Sequence, residues 1–259
     1  MLSERRRKII EIVQESGSMT VADLCELFDV SEMTIRRDLR DLDKEGVLRR
    51  VHGGAVSNLG RSYEPPYTVR TTRHANNKAA IGQRAADLVV DGDSIALDVG
   101  TTTLEIARAL KGKRNLTILT ASIPIANEVV SNLSLNSDVR LILTGGIVRP
   151  GELSLIGNIA ERTYDDFHVD KAFIGVGGLS LEDGLTEYNI EDARVKKPLI
   201  EHSRERIVVT DSSKLGQTTF SAVAPLSMVD KLVTDSNITD AFVRELTQRS
   251  IEVLIVNTD

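Results

Sequence analysis

From Asn77 onward the chain repeats one pattern: a short, almost continuous apolar run, then a stretch with apolar residues at helical spacing. The runs are "SIALDVG", "LTILTAS", "VRLILTGG", "KAFIGVGG", "RIVVTD", "KLVTDS" and "VLIVNT". The helical segments include "KAAIGQRAADLVV", "TTLEIARAL", "IPIANEVVSNL" and "TDAFVRELTQRS". A strand that is apolar all along must be covered on both faces, and strands that alternate with helices are joined by crossovers. The pattern therefore predicts an α/β domain over residues 77–259, built on a largely parallel, covered sheet.

In such a sheet the carboxyl ends of the strands share one edge, where ligands bind. The segments that follow the strands are "DVGTTT" (98–103), "TASIP" (120–124), "TGGIVRPGE" (144–152), "GVGGLS" (175–180) and "TDSSKLG" (210–216). All are rich in Gly, Ser or Thr. Small hydroxyl residues and backbone N–H groups that open a helix, as at Gly100, Thr101, Thr102 and Thr103, suit a phosphate. Lys214 and Arg149 would add positive charge. The expected ligand is a small polar anion; no G-x-x-x-x-G-K-[ST] sequence is present, which argues against a nucleoside triphosphate.

The stretch before Ser57 follows a different pattern. Helix breakers divide it into three short helical segments. "SERRRKIIEIVQESG" places Ile9, Ile12 and Val13 at helical spacing and ends at Gly17. "TVADLCELFDV" opens on Thr20 with Asp23 three residues on, a capping box, and would bury Val21, Leu24, Leu27 and Phe28. Ser31 then caps a third helix that runs to Gly46. Only Asp29 and Val30 separate the second helix from the third, which is the helix-turn-helix spacing.

Around the axis of the third helix, Arg36, Arg40, Met33, Lys44 and Arg37 follow one another within a single arc of about 100°. Leu42, Ile35 and Leu39 lie on the opposite, core-facing side, and Thr34, Asp41, Glu45 and Asp38 flank the basic arc. The arginines thus share one sector even though residues 1–56 carry ten Lys/Arg against eleven Asp/Glu and the whole chain has a net charge of −6. "VLRRVHGGAV" then reads as strand, turn and strand, the wing of a winged helix-turn-helix, with Gly53 and Gly54 letting backbone approach phosphates. The expected double-stranded DNA interface is Thr20, Ser31, Met33, Thr34, Arg36 and Arg37 near the groove, with Arg40, Lys44, Arg49, Arg50, His52, Gly53 and Gly54 on phosphates. One short helix reads few base pairs, so a dimer or tetramer is expected.

Residues 57–76, with Pro65-Pro66 and little apolar periodicity, read as an extended linker. No run reaches the ~18 apolar residues of a membrane span, and the N-terminus lacks a signal-peptide core, so a cytoplasmic location is expected. The lone Cys25 excludes an internal disulfide and reads as a small helical side chain. The four histidines, widely spaced, do not suggest a metal site, and no cofactor is expected.

Taken together, "MTIRRDLRDLDKEGVLRRVHGGA", "LDVGTTT", "LTGGIVRPGELSLIGNIAE", "DKAFIGVGG", "GLTEYNIEDARVKK" and "DSSKLG" resemble, in order and over nearly the whole chain, the DeoR family of bacterial transcriptional regulators. The resemblance implies a sensor domain similar in fold to ribose-5-phosphate isomerase, a phosphorylated sugar as effector, and repression of a carbohydrate operon. It carries effector contacts onto Asp98, Gly100, Thr101, Thr102, Thr103, Thr120, Ser122, Gly145, Gly146, Gly157, Gly177, Asp192, Lys196, Asp211 and Lys214. The loop commonly Thr-Asn-Ser reads Thr120-Ala121-Ser122 here, which removes an amide able to bond a sugar hydroxyl. Glu187, Tyr188 and Asn189 lie where members vary and are expected to help select the sugar. The competing reading is a sugar-phosphate isomerase; "GVGG" at 175–178 holds no carboxylate where the isomerases carry an acidic loop near their base, though Glu187, Asp192 and Asp211 remain as carboxylates.

Overall fold

The computed structural model describes residues 4–16, 18–51, 53–57, 60–133 and 138–257. The chain divides into two compact units, residues 1–63 and 64–259.

The first unit runs α1 (Glu4–Ser16), β1 (Ser18–Thr20), α2 (Val21–Phe28), α3 (Glu32–Lys44), β2 (Leu48–Val51) and β3 (Gly54–Ser57). Ile9 and Val13 of α1, Val21 and Leu24 of α2, Ile35, Leu39 and Leu42 of α3, and Leu48 and Ala55 of the wing form its core. Each of the larger side chains contributes roughly 1.5–3 kcal/mol by leaving water. Thr20 caps α2 as the spacing predicts: its hydroxyl accepts from the Asp23 N–H at 3.1 Å and donates to the Asp23 carboxylate at 2.7 Å. Leu27, expected inside, is 57% exposed, because Val21, Leu24 and Phe28 already fill the inward stripe of this short helix. Gly46, at φ +70°, ends α3; its N–H reaches the Asp43 carbonyl at 3.0 Å and that of Val47 the Leu42 carbonyl at 3.0 Å, a Schellman closure. The predicted helix end at Gly17 lies outside the described residues.

The wing pairs Leu48 with Ser57 and Val51 with Gly54, antiparallel. A third strand, β1, pairs on the far side of β3, with Thr20 opposite Gly54. The sequence reading missed it because so short a strand shows no periodicity. It also gives Gly54 a packing role: a Cβ there would clash with the Met19 carbonyl oxygen, so the pairing of β1 with β3 requires a glycine at this position.

The second unit contains α4 (Tyr67–Thr72), α5 (Ala75–Ala86), β4 (Ser94–Leu97), α6 (Thr101–Ala109), β5 (Thr117–Thr120), α7 (Ile123–Glu128, continued as a π turn), β6 (Arg140–Leu143), β7 (Ile147–Arg149), β8 (Ser154–Ile156) and α8 (Asn158–Asp165). Then follow β9 (Val169–Ile174), β10 (Gly178–Ser180), β11 (Gly184–Glu187), α9 (Ile190–Glu201), β12 (Ser203–Val209), β13 (Ser221–Ala224), β14 (Lys231–Asp235), α10 (Asp240–Gln248) and β15 (Glu252–Val256). Seven strands form one sheet in the order β15-β14-β12-β9-β4-β5-β6, and every pair is parallel.

Alternate strand residues face opposite layers. Ile95, Leu97, Phe173, Ile207 and Val209 pack with Ile81 of α5, Ile106 of α6 and Ile125 of α7. Ala96, Ala172, Ile174 and Val208 pack with Tyr164 of α8, Leu199 of α9 and Leu246 of α10. Two elements depart from the sequence reading. The stretch read as an extended linker holds helix α4, whose Arg70 is drawn into ion pairs with Glu64 and Glu152. The segments read as loops hold β7 and β10, which pair as the β7–β8 hairpin and the antiparallel sheet β10-β11-β13.

Candidate functional site

The strand order reverses between β4 and β9. From β4 the chain steps outward through β5 and β6; from β9 it steps the other way through β12, β14 and β15. Such a switch point leaves a crevice at the carboxyl ends of the two central strands. The residues there are Asp98, which follows β4, and Gly175, which follows β9.

Asp98 is 2% exposed, and its Oδ2 accepts from the Gly175 N–H at 3.0 Å and from Lys196 Nζ at 2.8 Å. Lys196, on α9 and equally buried, also donates to Glu187 Oε1 and, at 2.7 Å, to the Gly175 carbonyl. One ammonium thus uses its three protons on two carboxylates and a carbonyl. Burial works against its charge, but Asp98 and Glu187 outweigh burial and hold its pKa above the ordinary lysine value. Burial pushes Asp98 up to about 6, against the pull of Lys196. Tyr164 is fully buried on α8; burial, and then the charge of Asp98, raise its pKa far above the ordinary value.

Helix α6 begins immediately beyond Asp98. Its N-cap is Gly100 at φ +151°, a conformation other residues rarely take, and no side chain caps it. Thr103 turns its hydroxyl to the Gly100 carbonyl at 3.1 Å. The first-turn N–H groups of α6 thus lack the side-chain acceptor that Ser122 supplies to α7 and Asn189 to α9. An anion fits such an end.

Cations gather around Lys78. Lys78, on α5, is 6% exposed and donates to the Arg70 carbonyl. Burial pulls its pKa down to about 8; Asp211 opposes this, while Arg70 and Lys214 add to it. Lys214 Nζ donates to the Tyr188 hydroxyl at 3.0 Å and lies 5.3 Å from that ring's centre. Tyr188 lies against Gly177, where a Cβ would come within 3.0 Å of the ring. Sequence reasoning passed over Lys78 and Arg70. The signal for Lys78 was a lysine at position i−3 from Ile81 on the apolar stripe of α5, where Gly82 packs against Glu105 and Ile106 of α6.

Several expected contacts also have partners within the protein. Arg149, expected to supply free positive charge, is locked between Asp192 and, at 2.9 Å, Glu64 Oε2. Burial disfavours its charge, but those two carboxylates more than compensate. Asp192 is itself pushed up, chiefly by burial and against the pull of Arg149. Glu64 also binds Arg70 at 3.0 Å, and Arg70 binds Glu152. Thr120 Oγ1 donates to the Leu97 carbonyl at 2.7 Å and accepts from the Ser122 N–H at 3.1 Å; the Ser122 hydroxyl accepts from the Ile125 N–H at 3.3 Å. Asn189 Oδ1 accepts the Glu191 N–H at 2.8 Å. Asp211 caps the turn at Ser213. Gly145 and Gly146 admit α8: a Cβ on either would lie 2.6 Å from Ile159 or from the Ile156 carbonyl.

On the first unit, Arg36, Arg37, Arg40, Lys44, Arg49 and Arg50 are all exposed, and Met33 is 82% exposed. Arg36 pairs with Glu32 at 2.6 Å on the helix surface. Among the described residues the side chains of Arg37, Arg40, Lys44, Arg49 and Arg50 make no ion pair. The Arg50 backbone N–H is held by Asp43 at 2.9 Å, which fixes the wing strand to α3. Ser31 stands at the N-cap of α3, but its hydroxyl meets Thr34 Oγ1 at 3.0 Å and caps no backbone N–H. Asp38, expected to flank the basic arc, is instead buried at 3% exposure by two arginines of α1. His52 lies outside the described residues.

Residues 5–60 match a family model described as a DeoR-like helix-turn-helix domain, and residues 73–236 one described as a DeoR C terminal sensor domain. The chain is 39% identical over 256 residues to an uncharacterized HTH-type transcriptional regulator, YulB, of Bacillus subtilis (strain 168), in an alignment spanning 99% of this chain and 97% of that protein. It is 32% identical over 251 residues to the glycerol-3-phosphate regulon repressor of Escherichia coli (strain K12), at 97% and 98% coverage. Among solved structures, the ribose 5-phosphate isomerase A of Methanocaldococcus jannaschii aligns over 53% of each chain with 19% identity and a TM-score of 0.39.

Proposed function

The chain belongs to the DeoR family of transcriptional regulators, and on that premise we propose that it represses a carbohydrate-use operon and leaves its operator when a phosphorylated sugar or polyol binds the second unit. It is a regulator and not an enzyme; its relatives are named as regulators. A relative that represses the glycerol-3-phosphate regulon supports a phosphorylated, hydroxyl-bearing effector.

The observation that carries the sensor half is the uncapped start of α6 at the switch point, with Lys78 and Lys214 close to one another. The phosphate binds the N–H groups of Thr101, Thr102 and Thr103, and the buried Asp98–Lys196–Glu187 group meets the hydroxyls. The DNA half rests on the exposed arginines of α3 and the wing: Met33 and Arg37 face the groove, while Arg40, Lys44, Arg49 and Arg50 hold phosphates. The protein acts in the cytoplasm as a dimer or tetramer, whose paired recognition helices meet half-sites about 34–36 Å apart. The test is binding to DNA fragments from the protein's own genomic neighbourhood, titrated with a panel of sugar and polyol phosphates. Specific binding abolished by one phosphate supports the whole reading; specific binding that no phosphate alters overturns the sensor half.

A further inference from the structure

The sequence assigns the DNA surface to α3 and the wing. The structure adds a groove of about 770 Å³ on the first unit, whose walls bring Arg5 and Arg6 of α1 to the same opening as Ser31, Thr34, Arg37 and Arg40 of α3. The two sides are joined through Asp38. Arg5 donates from Nε to one carboxylate oxygen at 2.7 Å, and Arg6 from Nε to the other at 2.8 Å. Arg6 also binds Asp41 from its terminal nitrogen. Arg5 differs: only its Nε is engaged, so its two terminal nitrogens have no acceptor among the described residues, and its side chain stays 34% exposed.

We infer that Arg5 is a DNA-backbone contact, held toward the groove by Asp38, so that a phosphodiester beside the recognition helix is gripped by Arg5 from α1 together with Arg37 and Arg40 from α3. The chemistry fits. A guanidinium fixed through Nε presents its remaining N–H donors as a fork that matches phosphate oxygens. Four guanidinium groups line the groove against the carboxylate of Asp38, with Asp41 beside Arg6, which leaves the groove net positive in a chain that is acidic overall. Asp38 is a positioning residue in this arrangement. Burial opposes its charge, yet the two arginines hold its pKa below the ordinary carboxylate value, so it stays ionised and keeps its grip. The inference rests on the DNA-binding reading above.

The test uses the full-length protein, a labelled random-sequence duplex and a salt series read by fluorescence anisotropy. Each phosphate contact adds about 0.9 to the slope of log affinity against log salt. Arg5→Gln should lower that slope by about one and weaken binding to any sequence alike. Arg5→Lys, which keeps the charge but not the fork, should retain the slope. Arg7→Gln, which removes an exposed arginine outside the groove, should leave the slope unchanged. A wild-type slope for Arg5→Gln, or an equal fall for Arg7→Gln, overturns the inference while leaving the DNA-binding reading intact. A wild-type protein without salt-dependent binding sinks both. If Arg5→Gln does not fold, arginine modification by a dicarbonyl reagent on the wild-type protein decides. Bound duplex should shield Arg5 and not Arg7, and equal modification of Arg5 with and without duplex overturns the inference.

Discussion

Lys196 is the residue on which the buried cluster at the switch point turns. Its ammonium is fully used by Asp98, Glu187 and the Gly175 carbonyl, so Lys196→Met should leave two buried carboxylates unpaired and lower unfolding stability by about 3–5 kcal/mol, as measured in urea. Asp98 gives a second test, in pH. Its folded pKa of about 6 lies above the ordinary 3.8, so its ionisation opposes folding; the stability tied to its neutral form is fully present below pH 4 and is lost as pH rises through 6. Relative to Asp98→Asn, the wild type should lose up to about 3 kcal/mol across that window. Lys78 titrates the other way. A bound phosphate favours its charged form, so effector binding should take up a proton above about pH 8, seen by calorimetry in buffers of different ionisation enthalpy, and Lys78→Met should abolish the uptake. Most of these side chains could be named from the sequence, because glycine- and threonine-rich turns and family motifs mark them. Their partners could not. Arg149 and Asp192 both appear as candidate ligand contacts until three dimensions join them to each other.

At the scale of elements, long periodic segments were legible and short ones were not. The third helix announced itself through Ile35, Leu39 and Leu42 at core spacing with the arginines opposite, and its closure through Gly46. The short strands β1, β7 and β10 have no period to detect; they exist because neighbouring strands offer hydrogen bonds. Helix α4 likewise shows little apolar pattern and is anchored by ion pairs of Arg70 to Glu64 and Glu152. Gly54 tests the three-stranded wing. Gly54→Ala places a methyl on the Met19 backbone, so β1 must shift. It should lower the unfolding free energy by about 1–3 kcal/mol and weaken DNA binding, both measurable on the full-length protein.

For the whole molecule, the alternation of apolar runs and helices was enough to foresee two covered faces and a parallel sheet. Strand order was not foreseeable, because each βαβ step looks alike in sequence whichever way the chain turns next; the reversal between β4 and β9 is set by packing. That reversal decides which loops meet. Glu64 and Arg70, where the chain enters the second unit, are tied to Arg149 and Glu152. Glu64→Gln loosens two of these ties at once. It should leave DNA affinity and effector affinity each within a few-fold of wild type while reducing the factor by which one changes the other, read by titrating effector at fixed DNA.

The crevice floor has a further consequence. Two carboxylates share one ammonium there, so the floor is short of positive charge before any ligand arrives, while the cations stand at Lys78 and Lys214. On the reading proposed above, a molecule with a charged end and a hydroxylated end should bind in one sense, hydroxyls toward Asp98, Lys196 and Glu187 and phosphate toward the start of α6. On that reading the site works as a valve for orientation: a ligand negatively charged at both ends should meet repulsion from Asp98 and Glu187, and free inorganic phosphate should gain nothing from them.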